Sequence, residues 1–280
     1  MKLIFSIILY SVITIISVSC TTDVTDVTLP YNEQLVIQCL LQPDSLITLN
    51  ITKTLPPLDD YDISKATITN ALATITVDNK TYNFVYKGGY YYCNDIVPKS
   101  GKSYILEVIW NGKRATARTK VPFPLQIIGF EKNILSSYYD DYYKETYYEL
   151  AFQAVVSLPK DVTCVGAYQY SFINDNARYY FESYGQSRAY KNTTNQDIIP
   201  TNINFSSEYT SDLNYTDTSK IAIVETYDLP FYDYITTVKL HHYDDDNPFG
   251  FSGNNPKWNI QGDGIGYFFG MAYSKKHFIF

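Results

Sequence analysis

From Leu35 onward the chain alternates apolar and polar residues with period 2, the spacing of half-buried strands. Leu35, Ile37, Cys39 and Leu41 share one face, and Ile47, Leu49 and Ile51 share the next. Ala71, Ala73, Ile75 and Val77 repeat the pattern, as do Tyr82, Phe84 and Tyr86 ahead of the Gly88-Gly89 turn. The clearest hairpin runs from Tyr104 to Val121. Tyr104, Leu106, Val108 and Trp110 alternate into Asn111-Gly112, and Ala115, Ala117, Thr119 and Val121 alternate out. Asn-Gly suits the positive φ angles of a type I′ turn, and Arg114, Arg118 and Lys120 then fall on the wet face. Val121-Pro-Phe-Pro124 breaks the pattern by removing two ladder donors. About a hundred residues of short strands before a stiff joint predict an immunoglobulin-type β-sandwich over 25–124.

The remainder, 125–280, predicts a larger antiparallel β domain. It opens with Leu125 to Lys132 and a tyrosine-dense loop, Ser136-Ser-Tyr-Tyr-Asp-Asp-Tyr-Tyr143. Tyr148, Leu150, Phe152, Ala154 and Val156 line one face of a long strand, and further strands are expected at Tyr168–Ile173, Arg178–Tyr184 and Ile221–Tyr227. Residues 186–219 are polar and read either as a long loop or as a pair of irregular edge strands. One segment departs from period 2. Phe231, Tyr234, Ile235 and Val238 stand at i, i+3, i+4 and i+7 behind Asp228 as N-cap and Pro230 in the first turn, which predicts a single helix near 229–242. In the closing segment Ile265, Tyr267 and Phe269 share one face with Phe268 opposite, the pattern of a central strand buried on both sides.

The first residues follow a different logic. Lys2 and the apolar run Leu3–Val18 form the n- and h-regions of a secretory signal over 1–19. Ser17-Val18-Ser19-Cys20 resembles the lipobox of bacterial lipoproteins, in which the new N-terminal Cys carries a diacylglycerol on its thiol and a fatty acid such as palmitate on its amine. Thr21-Thr22-Asp23 follows without a basic stop-transfer flank, so a membrane-spanning anchor is the weaker reading. Residues 20–34 read as a polar tether. Its Asp23 and Asp26 fit either an acidic export signal or plain solvation.

Composition narrows the picture. Aromatic residues make up 16% of the chain, 29 of them Tyr, too many for a disordered polymer. A net charge of −7 argues against a nucleic-acid partner, which asks for a basic face.

Candidate chemistry is sparse. His241-His242-Tyr-Asp244-Asp-Asp246 resembles metal-ligand material, yet adjacent helical residues diverge by about 100° and zinc pairs prefer i, i+4 spacing. A helix C-terminus followed by an acidic turn explains it better. Asp244–Asn247, and Asp212, Asn214 and Asp217, are oxygen-rich but lack the ligand spacing of an EF-hand. Gly262-Asp-Gly-Ile-Gly266 leads into Ile-Gly-Tyr-Phe-Phe, a strand and not the helix a phosphate cradle requires. His277 has no Gly-x-Ser-x-Gly elbow to serve, and Asp59-Asp60 and Asp140-Asp141 read as solvated pairs. The expectation is no catalytic residue, no metal and no cofactor. Cys39 and Cys93 are either a disulfide pair or buried thiols, the latter better suited to Cys39 on its apolar face; Cys164 has no evident partner. Tyr138-Tyr139, Tyr142-Tyr143 and Tyr90-Tyr91-Tyr92 are either aromatic platforms for sugars or a protein partner, or ordinary strand alternation.

Several motifs carry a resemblance. The tail from Asp246-Asn-Pro-Phe-Gly through Trp258-Asn-Ile-Gln-Gly-Asp-Gly-Ile-Gly-Tyr-Phe-Phe-Gly270, the Leu35–Ile37 strand, Ile63-Ser-Lys-Ala66, Gly101-Lys-Ser-Tyr-Ile-Leu-Glu-Val108 and the exit Thr119-Lys-Val-Pro122 together resemble the Bacteroidetes lipoprotein family catalogued as "domain of unknown function 4249". The resemblance spans the mature chain. It implies an outer-membrane lipoprotein linked with TonB-dependent receptor systems and facing the cell surface, and it passes on no catalytic residues. The expected function is that of a non-enzymatic accessory or ligand-binding lipoprotein; the rival is an extracellular glycan-binding module or hydrolase.

Overall fold

A computed structural model describes residues 30–57, 59–159, 164–171, 198–213, 220–242 and 256–277. The signal segment, Cys20, most of the tether, the Arg178–Tyr184 strand and Asp244–Asp246 lie outside these. Residues 30–32, 56–57 and 59–61 belong to a small unit of their own, in which the Asp59 N–H donates to the Pro56 carbonyl. The far larger unit, Glu33–Leu55 with Asp62–Phe280, carries every described strand and helix.

Its first elements are β1 (Leu35–Leu41), β2 (Ile47–Lys53), α1 (Ile63–Ala66), β3 (Leu72–Val77), β4 (Lys80–Asn83), β5 (Val85–Lys87), β6 (Tyr90–Cys93), β7 (Ser103–Trp110) and β8 (Lys113–Lys120). The strand orders β1-β2-β6-β5 and β8-β7-β3-β4 are those of the two sheets of an immunoglobulin-like sandwich. Period-2 alternation supplies the core between them: Leu35, Ile37, Ile47, Leu49, Ile75 and Leu106 are all buried. Asn111 and Gly112 both have positive φ, +47° and +78°, as the tight turn between β7 and β8 demands. The buried Tyr104 accepts a hydrogen bond at its hydroxyl from the Lys99 N–H, five residues upstream, the arrangement of a tyrosine corner. The helix α1 was not anticipated. Asp62 caps it, its carboxylate accepting from the Ser64 N–H at 2.9 Å, and it lasts a single turn.

After the prolines come β9 (Ile127–Asp140), β10 (Glu145–Pro159), β11 (Cys164–Ser171), β12 (Ile198–Thr210), β13 (Lys220–Tyr227), α2 (Leu229–His242), β14 (Gln261–Gly262) and β15 (Gly264–His277). Strands β12-β10-β9 form a three-stranded antiparallel sheet. The part of 186–219 read as loop or irregular edge includes β12, which pairs with β10 along its whole length with one bulge. Isoleucines at 199 and 203 were too diluted by Thr and Asn to register as alternation. The prediction of a tyrosine-dense loop over 136–143 is also corrected: β9 continues through Asp140 and only a four-residue connection follows, since Ser and Tyr extend a ladder as readily as they fill a loop.

The closing segment does the most for the architecture. Strands β14 and β15 each cover one edge of a sandwich sheet, β14 antiparallel to β8 and β15 parallel to β1. Asp263 links them: its N–H donates to the Arg114 carbonyl, its carbonyl accepts from the Leu35 N–H, and its carboxylate accepts from the Arg114 N–H. Residues 25–124 thus do not close the sandwich alone. Leaving either edge bare would expose an unpaired ladder, so covering both is protective. Past Gly270, β15 turns to pair antiparallel with β13, completing the seven-stranded order β11-β13-β15-β1-β2-β6-β5. That sheet serves two cores. Phe268 packs in the sandwich, while Ala222 and Val224 of β13 pack with Leu150, Phe152, Ala154 and Val156 of β10.

Helix α2 is seated by Asp228, whose carboxylate accepts from the Phe231 N–H and from the Thr119 hydroxyl, and whose own N–H donates to the Gly270 carbonyl. Aromatic packing fixes its face: Phe231 stacks on Tyr227 with ring centres 3.7 Å apart, and Tyr234 lies against Trp258 and Phe269. The expected helix and its N-cap are present.

Candidate functional site

The hairpin of β9 and β10 holds the largest concentration of exposed aromatic side chains among the described residues. Its core-side half is anchored: Leu150, Phe152, Ala154 and Val156 are buried. At the bulge between Glu149 and Leu150 the ladder shifts, and beyond it every β9 residue from Ser136 to Tyr139 is exposed. A bulge re-aims a strand, and here it falls where the buried run of β10 ends at Leu150.

Cross-strand register organises the distal half. Tyr138 faces Tyr147, Asp140 faces Glu145 and Ser136 faces Glu149, so these six side chains share one surface by period 2. The rings of Tyr138 and Tyr147 stack with centres 5.6 Å apart, and Tyr143 meets Tyr147 edge-on at 6.5 Å. Tyr142 in turn packs edge-on against Tyr143 at 4.9 Å and is 86% exposed. Tyr139, on the opposite face, is exposed with Ile134 and Leu135. The turn is rigid, because Asp140 accepts from both the Tyr142 and Tyr143 N–H groups. Glu149 is positioned by the Ser136 hydroxyl at 2.8 Å. The Tyr147 phenol is held above its ordinary value, first by desolvation and then by the negative charges of Glu145 and Asp140.

Of the sequence candidates, Tyr138, Tyr139, Tyr142 and Tyr143 thus gather at this tip. Tyr147, Glu145 and Glu149 were missed, although the alternation that placed Tyr148 and Leu150 inward already put them outward. The Tyr90–Tyr92 run is split by the pleat. Tyr91 is buried, its hydroxyl donating to the Ile68 carbonyl and accepting from the Ala71 N–H. Tyr92 faces outward and, with Leu46, Val85, Lys87, Gly88 and Asn94, lines an open groove of about 380 Å³.

Elsewhere the candidates stay apart. Cys39 and Cys93 are free and buried. They sit on β1 and β6 with β2 between them, roughly 9.5 Å apart across the sheet at minimum, beyond disulfide reach. Burial pushes both thiols up. His241 and His242 lie in the last turn of α2, His277 is exposed at the end of β15, and Asp212 follows β12 with its N–H on the Thr210 hydroxyl. Among the described residues no three His, Cys, Asp or Glu side chains converge to hold a metal. No described helix is long and apolar enough to cross a membrane.

The family described as "Domain of unknown function (DUF4249)" matches residues 21–277. The chain belongs to this family. No curated protein matches it significantly. The described segments that carry the DUF4249 resemblance are framework. Gly101–Val108 holds the tyrosine corner, Thr119 reaches Asp228, and the glycines of the tail permit close backbone contact. At Gly266, where φ is +115°, a Cβ would fall 2.0 Å from the Ile37 carbonyl oxygen; at Gly270 it would fall 2.5 Å from that of Lys120. The tyrosine tip contains none of these motif positions.

Proposed function

We propose that the protein is a non-enzymatic lipoprotein of the outer membrane, anchored through acylated Cys20 and facing the cell surface. There it serves as an accessory subunit that binds a TonB-dependent receptor. The anchor reading rests on Lys2, the Leu3–Val18 apolar run and the Ser17–Cys20 lipobox-like sequence. The partner reading rests on what the family resemblance implies.

The observation that carries a binding role is the exposed cluster of Tyr138, Tyr142 and Tyr143, packed around the half-buried Tyr147, on a hairpin whose base is locked into a core. Rigid, amphipathic tyrosines present much contact area at low entropic cost, and such residues dominate binding hot spots. The test is recovery of partners from detergent-solubilised membranes with the full-length acylated protein, comparing the native chain with a Tyr138→Ala/Tyr142→Ala/Tyr143→Ala variant. A TonB-dependent receptor recovered by the first and lost by the second supports the reading. Equal recovery by both would place the contact elsewhere.

A further inference from the structure

Resting on the binding role of the hairpin, we infer that its tyrosine face recognises the guanidinium and ammonium groups of a protein partner, arginine above all. Three features of one surface combine to this end. The first is the ring pair itself. Tyr138 and Tyr147 stack across the strands and Tyr143 stands at 65° to Tyr147, and of these three rings Tyr138 and Tyr143 are exposed to solvent. A cation lying within about 6 Å of such a face is attracted by the ring quadrupole, and a planar guanidinium also stacks on it.

The second feature is register. Glu145 and Glu149 stand two residues to either side of Tyr147 on the same face, each about 7 Å along the strand. A guanidinium on the exposed Tyr138 ring, directly across from Tyr147, therefore has a carboxylate toward both ends, and a carboxylate accepts its paired N–H groups in a fork. Glu149 is already oriented by Ser136.

The third is charge. From Ser136 to Glu149 the chain places Asp140, Asp141, Glu145 and Glu149 against a single base, Lys144. The Lys144 ammonium is 3.8 Å from Asp141, next door in the turn. The surface thus presents net negative potential around aromatic rings, complementary to a basic segment and unattractive to an acidic one. A neutral glycan would use the rings and be indifferent to that excess charge.

The experiment titrates the full-length acylated protein with a hexa-arginine peptide, its neutral isostere hexa-citrulline, and a neutral glucan hexasaccharide, at 50 and 500 mM salt. Hexa-arginine should bind at least roughly tenfold more tightly than hexa-citrulline and weaken at high salt. Glu145→Gln/Glu149→Gln, isosteric changes at an exposed and a half-buried position, should reduce arginine binding about tenfold, and Lys144→Glu should strengthen it. Equal affinity for the two peptides would overturn the inference. So would arginine binding unchanged by the tip substitutions, which would trace it to the chain's overall charge. Glucan binding that the Tyr138→Ala/Tyr147→Ala variant abolishes and salt leaves alone would replace it with a sugar site. Failure here with the receptor still lost from the tip variant overturns only the chemistry assigned; retention of the receptor by that variant overturns the binding role itself.

Discussion

The side-chain amide of Asn259 makes both hydrogen bonds that a neighbouring strand would make to Phe268. Its Oδ1 accepts from the Phe268 N–H at 2.8 Å and its Nδ2 donates to the Phe268 carbonyl at 2.6 Å. The need for this is topological. At Phe268, β15 has β1 on one side, while its pairing with β13 begins only at Met271. A buried peptide there would otherwise lack both partners, and each unsatisfied group costs about 1–3 kcal/mol. Asn259→Ala should therefore destabilise the protein by about 3 kcal/mol. Asn259→Asp keeps the acceptor but sets a carboxylate oxygen against the Phe268 carbonyl, and should be no better. Denaturant midpoints for the two variants check this; a loss under about 1 kcal/mol for both would contradict it.

Close backbone contact makes a second prediction at the same strand. Gly270→Ala forces a methyl group onto the Lys120 carbonyl and the Val121 Cα, where only backbone movement gives relief. Gly129→Ala in β9 meets nothing within 4 Å and serves as the control. The first should yield insoluble or protease-sensitive protein and the second should melt like the native chain. A cooperatively folded Gly270→Ala protein with native stability would refute the packing described.

Asp228 gives the stability a pH dependence whose sign can be worked out. Burial raises its carboxyl from an ordinary 3.8 to about 6, only partly opposed by the hydrogen bonds from Thr119 and Phe231. The folded state thus holds the proton more tightly than the unfolded one. The resulting stabilisation is full below about pH 4 and is lost as pH rises through 6, amounting to at most about 3 kcal/mol. Asn is as good an N-cap, and its amide can still meet Thr119. Asp228→Asn should remove the decline between pH 4 and 7 and leave the variant more stable at pH 7.5. Parallel stability–pH curves for the two proteins would contradict this assignment.

The buried thiols make a simpler forecast. Cys39 and Cys93 should resist an aromatic disulfide reagent in the folded protein and react on unfolding, with no dependence on prior reduction. Rapid labelling in native buffer, or thiols that appear only after reductant, would count against the strand order that separates them.

Much of this fold was legible because the physics is local. Alternation gave β1, β2, β7 and β8 with their buried faces, Asn111-Gly112 gave the turn, and Asp228 with its i, i+3, i+4 apolar residues gave α2. What escaped was set by distant partners. Nothing near Gly264 says that it will lie beside Leu35 in a parallel pair, because that contact spans more than two hundred residues. The polar β12, read from sequence as either loop or irregular edge strand, is the bulged edge strand of the two because β10 offers it a full ladder. At the candidate site, the tyrosines were visible as a cluster in sequence, but their arrangement was not. Tyr147 joins Tyr138 only through hairpin register, and Glu145 and Glu149 became part of the same face for that reason alone. Tyr90–Tyr92 shows the converse, since an equally dense run puts its middle ring into the core.

The proposed function requires the hairpin to be the contact surface. The direct measurement is the affinity between the purified full-length protein and the TonB-dependent receptor proposed as its partner, for the native chain and for Tyr138→Ala, Tyr142→Ala and Tyr143→Ala singly. Aromatic residues at the centre of an interface cost about 1–2 kcal/mol or more when truncated, so at least one substitution should weaken binding roughly tenfold with the melting temperature unchanged. Native affinity in all three would contradict the claim.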